Sequence, residues 1–252
     1  MNVRPLRPHA ALLLEDKSGK RYVAVSDLHI GLESELSSKG ITFQPNLVKE
    51  MTAELNALVD SNKADCIVLL GDVKHTVGTI GRQEWAEIPA LLSHLASRSE
   101  VYLVPGNHDG NIGRLIPQSV NMIGSKGMVI DDTLLVHGHS MPSGVRSHIS
   151  RIVMGHLHPV FLKQGSVLNG ERVWIYVQAR KQSLFPEHGS IDVVVVPSFN
   201  QYLYATGPKS FRKSISPIIN RIMEHKGGVE KCVIATLDGS VIGDEAILRF
   251  II

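Results

Sequence analysis

Five short apolar runs in this chain each end in side chains that bind metals or move protons. The runs at 22–25, 66–70 and 101–105 open into Ser26-Asp27-Leu28-His29, Gly71-Asp72-Val73-Lys74-His75 and Gly106-Asn107-His108-Asp109. Those at 134–136 and 152–154 open into His137-Gly138-His139 and Gly155-His156-Leu157-His158. A run of that length closed by such a turn reads as a buried strand opening into a loop. Taken singly, each has a plain structural explanation, because Asn and Asp satisfy local backbone groups in turns. Five in order are another matter, since open α/β sheets gather their sites at one set of strand ends. Oxygen and imidazole donors with no thiolate suit Mn, Fe, Zn or Co.

The elements that must position these donors follow from periodicity. Residues 10–15 and 21–25 read as the first two strands, joined by an Asp16-Lys17-Ser18-Gly19 turn. A short helical stretch at 31–40 carries Glu33 and Glu35. Leu47, Met51, Leu55, Leu58 and Val59 recur at helical spacing over 46–61, with Pro45 at the start. A third helix is predicted at 87–96, with Ile88, Leu91, Leu92 and Leu95 as its stripe. Alternation of strand and helix up to residue 104 implies a parallel sheet with helices outside. After Val120 come short strands at 120–123, 126–130, 133–137, 151–154, 160–163, 172–178 and 191–196. That texture implies a second, more antiparallel sheet packed on the first. A helix at 217–225 and closing strands over 231–252 complete an α/β chain with no internal boundary, so 1–252 reads as one domain.

Composition narrows the function classes. The chain has 252 residues, 43% hydrophobic and 20% charged, enough to bury a sizeable core. No apolar stretch approaches the ~18–20 residues of a membrane span. The basic, proline-containing start is followed by only five apolar residues, too few for a signal-peptide core, so a cytoplasmic protein with no membrane partner is expected. Cys66 and Cys232 sit in apolar runs and read as packing residues. Net charge is only +2. It is unevenly spread: residues 200–231 hold six basic and two acidic side chains, so this accessory segment is +4 and the remainder −2. Phe199, Tyr202, Tyr204 and Phe211 lie in or beside it. Lys209, Arg212 and Lys213 among such aromatics would suit nucleic acid; a solvated basic face over core aromatics is the ordinary alternative.

In their order, DLH, GD, GNHD, HGH and GHLH resemble the calcineurin-like metallophosphoesterase superfamily over residues 21–159. SDLHIGLE, GDVKH and the late Pro197-Ser198-Phe199-Asn200 further resemble archaeal phosphoesterases related to the SbcD repair nuclease. Bacterial relatives of that branch sit beside DNA ligase or a large helicase. The resemblance implies a four-layer α-β-β-α sandwich of two packed mixed sheets, and two divalent metal ions, with Mn(II) favoured over Fe, Zn or Co. By that pattern Asp27, His29 and His158 hold the first metal, Asn107, His137 and His156 the second, and Asp72 bridges them. Two divalent cations against Asp27, Asp72 and a bridging hydroxide leave about one positive charge, which attracts a phosphate.

The remaining residues take roles from the same pattern. His108 would protonate the leaving oxygen, with Asp109 orienting it and raising its pKa. His139 would orient a ligand, Lys74 and His75 would face the substrate, and Glu33 has no evident chemistry. The activity implied is phosphodiester hydrolysis by a metal-bridging hydroxide, on DNA or RNA and linked to repair, with a helicase or ligase as partner. Phosphoprotein phosphatases place Arg after Gly-Asp and Glu after Asn-His, where this chain has Val73-Lys74-His75 and Asp109. A phosphomonoesterase or cyclic-nucleotide phosphodiesterase stays open. A non-catalytic scaffold of the same fold is disfavoured, because every ligand and His108 are kept.

Overall fold

Alternation along the strands sets the layers, because successive side chains point to opposite faces. In the computed structural model, which describes residues 1–41, 46–142, 148–204 and 216–251, six strands form the first sheet. They are β1 (Asn2–Pro5), β2 (Leu12–Glu15), β3 (Arg21–Val25), β4 (Cys66–Leu69), β5 (Glu100–Leu103) and β6 (Val120–Met122), adjacent in that order. β1 to β3 pair antiparallel and β3 to β6 pair parallel. Val23, Val25, Ile67 and Leu69 face α1 (Leu32–Ser38), α2 (Leu47–Asn62) and α3 (Arg82–Ala96) in one core. Tyr22, Ala24, Cys66, Val68 and Leu70 point the other way, into the layer between the sheets.

The second sheet supplies the opposite wall of that layer through Leu135, Val153, Trp174, Val194 and Val196. Its strands are β7 (Met128–Ile130), β8 (Thr133–Val136), β9 (Arg151–Met154), β10 (Val173–Arg180), β11 (Ser190–Val195), β12 (Val229–Thr236) and β13 (Val241–Gly243). They lie in the order β13-β12-β10-β11-β9-β8-β7. The trio β8, β9 and β11 pairs parallel, so this sheet is mixed. Its outer face is covered by α4 (Pro217–Glu224) through Ile218 and Ile222. The four-layer α-β-β-α arrangement of two mixed sheets is therefore realised. Both cysteines are free and buried, and among the described residues no helix is long and apolar enough to cross a membrane.

Several boundaries differ from the periodicity. β6 completes the first sheet instead of opening the second. α3 begins five residues earlier than predicted and carries Pro89 inside it. Its first turn holds because the Glu84 carboxylate accepts the Gly81 N–H. The strand expected at 160–163 is reduced to one bridge, Val160 to Arg172. Of the closing strands only β12 and β13 form, followed by a 3-10 helix, Glu245–Phe250. Phe199 is buried in the core under the first sheet, and Tyr202 and Tyr204, each partly buried, pack against it. Pro45, Lys209, Phe211, Arg212, Lys213 and Ile252 lie outside the described residues.

Candidate metal centre

Three of the five loops, those after β3, β4 and β9, are held in backbone conformations that side chains avoid. Asp27, His29, Asp72, His156 and His158 all have positive φ, between 45° and 71°. Non-glycine residues in that region are uncommon, and they cluster where the surroundings over-determine them. Here the surroundings are explicit. The loop after β3 runs on beside the loop after β4, with Asp27 N–H donating to Gly71 (3.1 Å), His29 to Asp72 (2.9 Å) and Ile30 to Val73 (2.9 Å). From 171 residues away, the Ser198 hydroxyl donates to the Asp27 carbonyl at 2.9 Å, while the Asn200 amide donates to the Leu28 carbonyl, also at 2.9 Å. Arg172, half-buried, donates to the Ser198 carbonyl at 2.6 Å and so backs that brace. Pro197-Ser198-Phe199-Asn200 thus buttresses the Asp27 turn, a role that nothing local in the sequence discloses.

Two donor clusters meet at these loops. Donor atoms of Asp27, His29, Asp72 and His158 lie within 4.8 Å of one another, and so do those of Asp72, His137 and His156. Asp72 belongs to both sets. His158 Nε2 lies 2.9 Å from Asp27 Oδ1 and 3.3 Å from His29 Nε2. His137 Nε2 lies 3.3 Å from Asp72 Oδ2 and 3.2 Å from Asn107 Oδ1. A backbone carbonyl only accepts, so the 2.8 Å contact from His137 Nδ1 to the Leu70 carbonyl places a proton on Nδ1 and turns Nε2 toward the cluster. All seven residues expected as ligands are brought to one place. Convergent imidazoles and carboxylates without a thiolate fit divalent cations.

Electrostatics prepares the same site. Burial raises the Asp27 carboxyl, but His158 and His137 outweigh it and hold the group low. Asp72 is likewise raised by burial and lowered further by His137 and His29, ending well below the carboxylate range. Burial alone would lower His137; the hydrogen bond and charge of Asp72, with Asp27 behind, push it up to about 9. Burial, then the neighbouring imidazoles, drives His29 well down and His156 to about 4. The metal-free centre therefore sets the Asp27 and Asp72 carboxylates beside a His137 imidazolium and the neutral His29 and His156 rings, with one proton on His137 for a metal to displace.

Several residues around the ligands depart from expectation. Asp109 does not orient the His108 ring: its carboxylate accepts the Gly106 N–H at 2.8 Å and the Lys74 N–H at 3.1 Å, bracing the loop. The His108 Nδ1 donates instead to the His75 carbonyl, and its Nε2 faces Asp72 Oδ2 at 4.0 Å. Lys74 does not face the substrate side. It is fully buried, and its ammonium donates to the Thr76 and Thr79 carbonyls. His75 turns between His29 and Glu35. His139 packs its ring 5.4 Å from that of His137, and its buried Nδ1 meets no hydrogen-bond partner among the described residues. Glu33 gains a role, accepting the Leu47 N–H at 2.8 Å at the start of α2. Sequence reasoning passed over Glu84, buried, which accepts the His75 N–H at 3.0 Å and the Thr76 N–H at 2.8 Å. Its position in an amphipathic stripe was the available signal.

Close approach explains two glycines. A Cβ on Gly106 would stand 2.2 Å from Asp72 Oδ1 and 2.5 Å from the Asp72 nitrogen, and one on Gly155 would stand 1.7 Å from the Ser26 hydroxyl. Side chains there would displace the two carboxylates on which the clusters are built.

Helices outside, two mixed sheets inside and paired His/Asp clusters at the strand ends define a metal-dependent phosphoesterase. The family model for calcineurin-like phosphoesterases matches residues 20–196, well over half of the chain, and the chain belongs to that family. Among solved structures, the Pseudomonas putida nuclease MPE matches with a TM-score of 0.53 at 17% identity, covering 96% of this chain and 100% of that one. YfcE, a phosphoesterase from E. coli, matches with a TM-score of 0.42 at 18% identity, covering 90% and 98%. At such identities the likeness is one of fold. A search of curated proteins finds no match.

Proposed function

We propose that this chain is a phosphodiesterase acting on nucleic acid, nuclease-like in its reaction, with Asp27, His29 and His158 holding one divalent cation, Asn107, His137 and His156 a second, and Asp72 shared. Bound cations, for which Mn(II) is our choice, would supply Lewis acidity toward phosphoryl oxygens and acidify a water. The observation that carries a diester over a monoester is the inward turn of Lys74. A dianionic monoester is ordinarily clamped by charge-assisted Arg or Lys donors. Among the described residues, the ion pairs of Asp27 and Asp72 are all with histidines, and the ammonium nearest in sequence is buried against carbonyls. A diester carries one charge less and needs no such clamp.

His108 completes the reaction from this chain's side. Its Nδ1 proton is committed to the His75 carbonyl, so a proton on Nε2 makes the ring an imidazolium able to donate to a leaving oxygen. The fold shared with a protein described as a nuclease makes nucleic acid the first substrate to try. Membership of the SbcD-related branch, and a helicase or ligase partner, rest on the motif resemblance alone. The test compares bis-p-nitrophenyl phosphate, p-nitrophenyl phosphate and a single-stranded oligonucleotide with added Mn(II). Diester and oligonucleotide hydrolysis exceeding monoester hydrolysis supports the proposal. Monoester preference would make the protein a phosphatase, and no turnover of any substrate would make it a scaffold.

A further inference from the structure

A metal-binding imidazole normally fixes its ring by donating its second N–H to a carboxylate or carbonyl. His137 does so through Leu70. His29 does not: its Nδ1 meets another imidazole, 3.3 Å from Nδ1 of His75, and the rings stand at 74° with centroids 5.3 Å apart. The far nitrogen of His75, Nε2, lies 2.5 Å from Oε2 of Glu35 on α1. The Glu35 carboxylate pairs in turn with Lys39.

With a neutral His75 ring, donor and acceptor rules fix every proton in that chain. A carboxylate only accepts, so His75 Nε2 carries the hydrogen. The neutral His75 ring then presents a lone pair at Nδ1, and the hydrogen between the rings must sit on His29 Nδ1. His29 Nε2 is left with its lone pair, and that atom lies among the cluster, 3.3 Å from His158 Nε2 and 3.8 Å from Asp72 Oδ2. With His75 neutral, each link has one donor and one acceptor; a second hydrogen on His75 would reverse the bond between the rings and move the His29 hydrogen to Nε2, the nitrogen that faces the cluster.

His75 is well placed for this duty. Its N–H donates to the Ile30 carbonyl at 2.9 Å and to Glu84 at 3.0 Å, and its carbonyl receives the His108 ring. Leu32 and Leu36, both buried, seat α1 and with it Glu35. A rival use of the same atoms exists, because donor atoms of His29, His75 and His108 lie within 4.8 Å of one another and would suit a further cation. Such a cation would take one nitrogen from each ring, and both nitrogens of His75 are already engaged, with His29 and with Glu35, so it would have to break one of those bonds. The complete set of bonds favours the chain.

We infer that Glu35 and His75 are positioning residues that hold His29 in the one tautomer and orientation that presents Nε2 to a divalent cation. The inference rests on the reading of His29 as a metal ligand. It would make α1 part of the metal centre, although none of its side chains belongs to the two clusters built on Asp72.

The test titrates Zn(II) against a competing chelator in wild type, His75→Ala, Glu35→Ala and Glu35→Gln, and records long-range proton–nitrogen spectra of ¹⁵N-histidine-labelled, zinc-loaded protein. Loss of such an orienting partner typically weakens metal binding ~10–100-fold. His75→Ala should weaken one of two equivalents by about that factor and spare the other. Glu35→Ala should weaken the same equivalent less, and Glu35→Gln should stay near wild type, since an amide oxygen still accepts from His75. The spectra should show His29 protonated on Nδ1 and His75 on Nε2. A His75 proton on Nδ1, or equal loss at both equivalents, overturns the inference. So does a third wild-type equivalent that vanishes in His75→Ala, which would make the three histidines a metal site. Unchanged binding in all variants of a protein that takes two equivalents sinks this inference alone; a wild type that binds no zinc sinks the metal centre with it. Glu35, half-exposed and remote from the ligands, keeps the test decisive if His75→Ala fails to fold.

Discussion

Replacing Gly155 with alanine should cost both stability and metal affinity, by an amount the geometry bounds. The added Cβ would lie 1.7 Å from the Ser26 hydroxyl, 2.6 Å from its Cβ and 2.7 Å from Asp27 Oδ2. Neither backbone can retreat easily: Gly155 N–H donates to His137 at 2.9 Å, and the Ser26 carbonyl accepts from Phe199 at 2.8 Å. The Ser26 hydroxyl must therefore leave its 2.9 Å bond to the Leu70 carbonyl. Overpacking of a filled core costs ~1–3 kcal/mol, and a buried hydroxyl stripped of its partner costs ~1–3 kcal/mol more. The sum, about 2–6 kcal/mol, is a large share of the ~5–15 kcal/mol that holds a typical protein folded. Asp27 Oδ2 also accepts the His156 N–H at 3.1 Å, so pushing it aside disturbs a ligand of the first metal position. Urea denaturation of the chelator-treated protein gives the stability term. Ser26→Gly removes the two nearest atoms, so the double variant should recover part of the loss, a coupling expected at ~0.5–3 kcal/mol for contacting residues. Strict additivity of the two substitutions, or a Gly155→Ala variant within about 0.5 kcal/mol of wild type, would refute the packing argument.

Three further outcomes follow from the site. His108→Ala should keep both metal equivalents and lose ~10²–10⁴ in rate, most for diesters with basic leaving groups; equal losses on p-nitrophenyl and alkyl esters would mean that it places phosphate and donates no proton. Lys74→Met should lose roughly 1–3 kcal/mol from the stranded Thr76 and Thr79 carbonyls, with kcat/KM on a diester near wild type; normal stability with a tenfold higher KM would return the ammonium to the substrate side. Stability of the metal-free protein should depend on pH through His137, whose folded pKa of about 9 exceeds the ordinary 6.5. A raised pKa contributes fully below 6.5 and is lost as pH climbs through about 9, whereas the depressed Asp27 and Asp72 contribute above the carboxylate range and fail in acid. Melting temperature in chelator should thus fall on both flanks, and His137→Gln should flatten the alkaline one; an identical alkaline flank in that variant would contradict the assignment.

Much of the centre was legible before any coordinates. The residue types at the five strand ends name the donor chemistry. The stripe of Leu47, Met51, Leu55, Leu58 and Val59 marks α2, whose buried residues are those five. Such signals are legible because they are local, with periods of 2 and 3.6 residues. The start of α3 escaped the periodicity because its first turn buries a carboxylate, Glu84, where an apolar stripe would carry a hydrophobic residue.

By itself, then, the sequence determined which atoms are available to bind metal, that strand ends carry them, and that two sheets with outer helices would bury the strands. Tertiary structure alone decided where each side chain points. Asp109 and His108 are neighbours, yet one braces backbone amides and the other reaches His75, 33 residues away. Lys74 follows the ligand loop and still turns inward. Ser198 reaches Asp27 across 171 residues, and Glu35 reaches His29 only through His75. A hydrogen bond is settled within about 3 Å in space, and sequence distance carries no information about which partner will stand there.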